Sequence, residues 1–443
     1  MHALLPAVLL AAAFDGTAAL RHASALAALG PHPWGSPRAR AAAQYVQAQL
    51  REAGLGDVRL QEFESEGIHG VNVVGSLPGP GTEFVVIGAH HDTAPGAPGA
   101  YDDGGGVGVL IEAARVLARE RDRGRTLVFV SWDGEEAWST GRATTAGSRA
   151  FIKQLGPAAR DLVAAVDVEM CGWKNGTPVV HPVPYADPLR PGRYQVAPGW
   201  LAAAGLRGAR SAGVPLKVGD PLIAWLYQPA VRTFRVNLYG DDLSFVQAGL
   251  PALFLSDSSF TAFYPWYHQP KDTAEKLDAS ALSRMGRAVL GIVGELARVK
   301  RGPAVEREWF AAFGSVAGSP ILIALALLSV VPGLAAASSV RGGVGGGVWG
   351  GVFGLRLFQA ALFGVFFWRH PVPALWVFLL PNVVGGLPRK RGGVAIAVLP
   401  LLALAVLGAA AWLRGFVGGL WMAGWELAIA ALGYALVWAA PRR

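Results

Sequence analysis

Short, unbroken apolar runs alternate along the first two thirds of the chain with segments of helical period. Phe84 to Gly88 (Phe-Val-Val-Ile-Gly) and Thr126 to Ser131 (Thr-Leu-Val-Phe-Val-Ser) have no polar alternation, as strands buried on both faces require. Leu162 to Met170 is a third such run, and Val71 to Leu77 and Pro251 to Leu255 read as further strands. Between the first two, Val107 to Ala118 has helical periodicity and good helix formers. Gly16 to Leu50 is helical except across Gly30 to Pro37, and the second of its helices, Arg38 to Ala53, is closed by Gly54. Helices are also predicted over Gly147 to Leu155 and Ala279 to Val299. Residues Val179 to Pro229, rich in Pro, Gly and aromatics, read as loops and cover helices walling a site. The order strand, loop, helix, strand predicts an α/β domain with a mostly parallel, mixed central sheet flanked by helices. Such sheets bind ligands at the carboxyl ends of their strands.

Composition then divides the chain of 443 residues. From Trp309 onward there are nine basic residues and one acid, Glu426, so the tail carries the whole net charge of +8. The preceding part balances 30 basic against 30 acidic groups. The tail holds five apolar runs of roughly membrane length: Ser319 to Ala337, Val348 to Trp368, Pro373 to Gly386, Val394 to Leu413 and Leu420 to Ala440. Arg341, Arg389, Lys390, Arg391, Arg442 and Arg443 fall on one side of these runs, and only Arg369 and Arg414 on the other. The positive-inside rule places the preceding domain outside the cytoplasm. The basic balance is therefore a matter of membrane topology, and no nucleic-acid partner is expected. Arg356 and Glu426 are opposite charges within the apolar runs and are expected either to pair or to reach water separately. Leu4 to Phe14 is apolar but too short to span a bilayer; it resembles a signal-peptide core, although the basic n-region is missing. The expected domains are residues 1–14 as this segment, 15–305 as the catalytic domain, and 306–443 as an all-α transmembrane bundle. The single Cys171 permits no internal disulfide and reads as a small buried side chain.

The chemistry collects where the apolar runs stop. His90-His91-Asp92 follows the first, Tyr101-Asp102-Asp103-Gly104-Gly105-Gly106 precedes the helix, and Asp133-Gly134-Glu135-Glu136 follows the second. Asp167 and Glu169, two apart on a strand, face one side; either could be a ligand with the other as its support. A lone His-x-Asp or Glu-Glu is usually a solvated loop. Three clusters at one sheet edge, with Glu169 and His268 to follow, are a site.

These residues carry a resemblance. His90-x-Asp92, Asp102-Asp103-x-x-Gly106, Gly134-Glu135-Glu136, Val168-Glu169-Met170-Cys171-Gly172 and Tyr267-His268-Gln269-Pro270-Lys271-Asp272-Thr273 resemble, in order, the motifs of the co-catalytic zinc exopeptidases. That family includes bacterial leucyl aminopeptidases, glutamate carboxypeptidases and glutaminyl cyclases. The resemblance runs from about Gly30 to Val299. It implies that His90 binds one metal, Asp102 bridges two, and Glu136 binds the second. Glu169, where the family usually has Asp, would complete the first metal, and His268 the second. Glu135 would be the general base, Asp92 would orient His90, and Asp103 would follow Asp102 across a cis peptide.

Two divalent ions about 3.5–4 Å apart can share a water and polarise a scissile carbonyl. Mixed His and carboxylate ligation without thiolate suits two Zn2+, with Co2+ or Mn2+ possible. The expected protein is a membrane-anchored aminopeptidase acting on peptide substrates, held to lipid by its C-terminal helices. Two alternatives stand beside it: a glutaminyl-peptide cyclotransferase, in view of the insertion Ala137 to Ala146, and an inactive peptidase fold serving as a receptor or scaffold. The Asp-Asp-x-x-Gly loop favours the peptidase.

Overall fold

A computed structural model describes residues 11–136, 145–181, 185–186, 194–195, 198–218, 240–257, 264–302, 309–312 and 315–318. The apolar runs of the tail, Arg356 and Glu426, most of the N-terminal apolar segment and much of the Pro-rich stretch before Pro229 lie outside the described residues. Among the described residues, no helix is long and apolar enough to cross a membrane. The chain divides into two units, residues 1–307 with 311–316 and residues 308–310 with 317–443. The sheet and the site lie in the first.

Helices α1 (Gly16–Ala27) and α2 (Pro37–Glu52) come first, and strands β1 (Gly56–Ser65), β2 (Ile68–Leu77) and β3 (Phe84–His90) follow. Ser36 caps α2 by accepting from the Ala39 amide, with Pro37 in the first turn where its missing N–H costs nothing. Helix α3 (Gly105–Ala118) leads to β4 (Thr126–Trp132), α4 (Ala146–Leu155) and β5 (Leu162–Val168). After them come β6 (Val179–His181), a small β7–β8 pair (Tyr185–Ala186 and Tyr194–Gln195), α5 (Gly199–Ser211) and β9 (Lys217–Val218). Helix α6 (Asp242–Gln247), β10 (Ala252–Ser256) and α7 (Ala279–Leu296) complete the unit. Two further strands, β11 (Trp309–Ala312) and β12 (Ser315–Gly318), pair with each other just ahead of the first apolar run of the tail.

The eight-stranded sheet runs β1-β2-β4-β3-β5-β10-β6-β9. Its central four strands are mutually parallel, and β2 and β6 flank them antiparallel. Strands β3 and β5 are buried along their whole length, which explains why they lack polar alternation. Because β3 sits between β4 and β5, the chain leaves it in one direction and returns in the other. That reversal opens a crevice at the carboxyl ends of the strands. Strand β5 ends at Val168, two residues short of the run read from sequence, and Glu169 begins the loop.

Candidate metal centre

Each strand end delivers one part of the centre. His90 is the last residue of β3, Glu135 and Glu136 follow β4, and Asp102 sits in the turn before α3. His268 comes from the loop before α7. The structure brings four of the predicted ligands together. His90 Nε2 lies 3.2 Å from Asp102 Oδ1, while His268 Nε2 lies 3.2 Å from Asp102 Oδ2 and 2.9 Å from Glu136 Oε1. Each oxygen of Asp102 thus faces a different imidazole. His90, Asp102 and Glu136 offer ligand atoms that all fall within 4.8 Å of one another. They are buried, and the His268 side chain is 17% exposed.

The supports are backbone groups and carboxylates. His90 Nδ1 is 3.0 Å from the Asp92 carbonyl oxygen; that oxygen can only accept, so Nδ1 donates and Nε2 is the atom aimed at Asp102. The Asp92 carboxylate sits behind His90 and also reaches the next motif. It stands 3.6 Å from Nδ1 and accepts from the amides of Glu135 and Glu136, each at 3.1 Å. Main chain and side chain of Asp92 both face His90 Nδ1, and the side chain also holds the Glu-Glu pair.

Three acids whose support role sequence reasoning did not assign hold the Asp102 loop. Asp272 accepts from the Tyr101 amide at 2.9 Å, the Tyr264 hydroxyl at 2.9 Å and the Asp102 amide at 3.3 Å. Asp257 accepts from the Tyr101 hydroxyl and the Gly172 amide, both at 2.6 Å. Asp103, joined to Asp102 by a cis peptide, accepts from the amides of Gly106 and Met170 at 2.9 and 3.1 Å. That geometry fixes the last position of the Asp-Asp-x-x-Gly motif, since a Cβ on Gly106 would collide with the Asp103 carboxylate and the Val168 carbonyl.

Burial sets the electrostatics. It raises the Glu136 carboxyl to about 7, with the neighbouring Asp102 charge adding to the shift. Burial likewise holds Glu135 well above the usual carboxylate range. His268 loses to burial but gains more from Asp102 and Glu136, and is pushed up to about 10. Asp102 moves the other way, because the two histidines outweigh its burial. Buried acids and imidazoles this close share protons unless a cation replaces them. Two imidazole nitrogens and several carboxylate oxygens without thiolate are a donor set that zinc accepts. Cys171 is buried, and burial pushes its thiol up, as for an inert core residue.

Glu169 is not part of that cluster. It lies in a second one with Asp167 and Asp241, whose ligand atoms also fall within 4.8 Å of one another. Burial, then the Asp167 charge, holds Glu169 well above its usual range. Asp167 accepts from the Asp242 amide at 2.8 Å and so ties the start of α6 to the end of β5. Asp167 and Glu169 both point into one group, and Asp241 completes it. Asp241 carried no signal of its own beyond a Gly-Asp-Asp sequence before an apolar run.

The model of Peptidase family M28 matches residues 72–293, half of the chain, and spans every residue of the centre. Leucine aminopeptidase 1 of Metarhizium robertsii is 25% identical over 62% of this chain and 67% of its own length. Leucine aminopeptidase 1 of Uncinocarpus reesii and a probable leucine aminopeptidase of Arthroderma otae match over 54% and 64% of their own lengths. Among solved structures, an aminopeptidase from Aneurinibacillus sp. strain AM-1 covers 66% of this chain and 95% of its own at 16% identity, with a TM-score of 0.51. Porphyromonas gingivalis glutaminyl cyclase covers 63% and 98% at 23% identity, with the same TM-score of 0.51; at these identities the likeness is one of fold. With the family match running from β2 into α7 and the candidate metal ligands gathered at its sheet edge, the chain belongs to peptidase family M28.

Proposed function

We propose that the chain is a zinc aminopeptidase that removes N-terminal residues from peptides, working with two ions. The observation that carries this reading is Asp102, whose two oxygens face His90 and His268 separately, as a carboxylate shared between two ions would. The aminopeptidase relatives supply the reaction class. When bound, zinc supplies Lewis acidity and a water acidified towards neutral pH. Glu135 would accept at its carboxylate the proton an attacking water gives up as its oxygen bonds to the scissile carbon, and would return one to the leaving nitrogen as the C–N bond breaks. The water oxygen stays on the new carboxyl group. Asp92, gripping the Glu135 and Glu136 amides, keeps the base and the neighbouring ligand in register. Glu169 remains the proposed completing ligand beside His90, through whichever carboxylate oxygen its own cluster leaves available.

The membrane-anchored form belongs to the same proposal. Five apolar runs and a one-sided distribution of basic residues in the tail support a catalytic unit outside the cytoplasm on a helical anchor.

The test uses the purified full chain stripped of metal and assayed on a panel of aminoacyl reporters and free peptides. Activity should be absent, return with Zn2+, require a free amino terminus and release one N-terminal residue at a time. Release from the carboxyl end would overturn the aminopeptidase reading. Loss of ammonia from an N-terminal glutamine, with no peptide bond cleaved, would replace it with cyclisation.

A further inference from the structure

We propose that Asp167, Glu169 and Asp241 form a separate, oxygen-only site for a hard divalent cation of calcium size, beside the histidine-bearing centre. Geometry comes first. The three residues offer oxygens that all lie within 4.8 Å of one another, close enough to share one ion. The set is fully enclosed, with Asp167 and Asp241 at 0% exposure and Glu169 at 4%. Asp167 Oδ1 and Glu169 Oε1 are buried with no hydrogen-bond partner, although Asp167 Oδ2 is used by the Asp242 amide. Such atoms are costly to leave bare. A cation would satisfy both.

The backbone has closed onto these oxygens. A Cβ on Gly240 would collide with Glu169 Oε1 and Asp167 Oδ2, so the residue before Asp241 leaves the carboxylates room. Charge gives an independent reason. Asp92, Asp102, Asp103, Asp133, Asp242 and the trio itself are all buried, and among the described residues no Lys or Arg is buried with them. Two ions at the histidine centre, even with Glu169 lending one oxygen to them, would still leave Asp167 and Asp241 without a cation. Three carboxylates and no imidazole select a hard ion over zinc. Glu169 has two oxygens, so a role beside His90 and a role in the trio are compatible.

The site would tie the end of β5 to the start of α6, and the test reads that cation directly. Full-length protein saturated with zinc is dialysed against radioactive Ca2+. One saturable equivalent is expected, with zinc content unchanged and the melting temperature raised. Asp241→Asn should weaken calcium binding about tenfold or more, since affinity follows the charge count of the ligands, while zinc stays bound. Asp167→Asn repeats the test should Asp241→Asn lose its zinc, the sign that it has not folded. His268→Ala should lower zinc content and leave calcium in place. Calcium that fails to saturate, displaces zinc one for one, or binds both Asn variants as tightly as the parent would overturn the proposal. Failure of the peptidase reading would appear in the zinc and peptide assays and leave the calcium stoichiometry untouched.

Discussion

Glu135 and Glu136 are neighbours held by one carboxylate, yet the proposal gives them different work. Their amides share Asp92, so changing the Glu135 side chain leaves the grip on Glu136 intact. Glu135→Gln should therefore keep its zinc and lower turnover by roughly 10²–10⁴-fold, the usual worth of a general base. A variant with near-normal turnover would remove Glu135 from the mechanism. One residue from the centre, His91 is buried, its Nδ1 3.0 Å from the Ser131 hydroxyl. Burial pushes this imidazole from 6.5 down to about 3. Between those values the unfolded chain binds a proton that the folded one refuses, so its contribution to stability falls as the pH drops from 6.5 towards 3. At pH 4.5 the difference is about 2–3 kcal/mol. Urea midpoints of the parent should fall faster with acid than those of His91→Gln, and parallel curves would show that His91 titrates normally.

At the scale of elements, the centre depends on how the loop before α3 is gripped from the far end of the domain. Asp272 holds the amides of Tyr101 and Asp102 from 171 and 170 residues away. Asp272→Asn puts an N–H donor against one of those amides. The fold should persist, while zinc affinity, measured by chelator competition, should fall about 10–100-fold, as for other groups that orient a ligand. An unchanged affinity would mean that the loop holds its shape alone. The same dependence decides what the sequence could reveal. Strands β3, β4 and β5 were legible because burial on both faces leaves an apolar run, and their ends marked the clusters. Strand β1 was not, because it is an outer strand in which exposed Arg59 and Glu62 alternate with buried Val58, Gln61 and Phe63. Its Gln61 is buried only because Asn72 and Gln154 bond it. Helix α6, six residues long, is too short to show a period. Asp241 stayed hidden for a related reason: Asp167 and Glu169 reach it from the end of β5 and the loop after it, more than 70 positions earlier, and no local pattern records such a meeting.

Over the whole molecule, composition and charge separate a balanced catalytic part from a basic, apolar tail. If that tail is an anchor, the full chain should stay in the membrane fraction through alkaline carbonate extraction, and protease added from outside intact spheroplasts should reach residues before 303. Release into the soluble fraction would remove the anchor from the proposal. The long reach of Asp272 also bears on timing during synthesis. His90, Asp102 and Glu136 leave the ribosome early, but the residue that steadies Asp102 and the second imidazole arrive more than 130 residues after Glu136. A nascent chain therefore carries a half-built centre through most of its translation. Peptidase activity of the proposed kind is therefore not expected from a nascent chain until His268 and Asp272, just ahead of α7, have emerged.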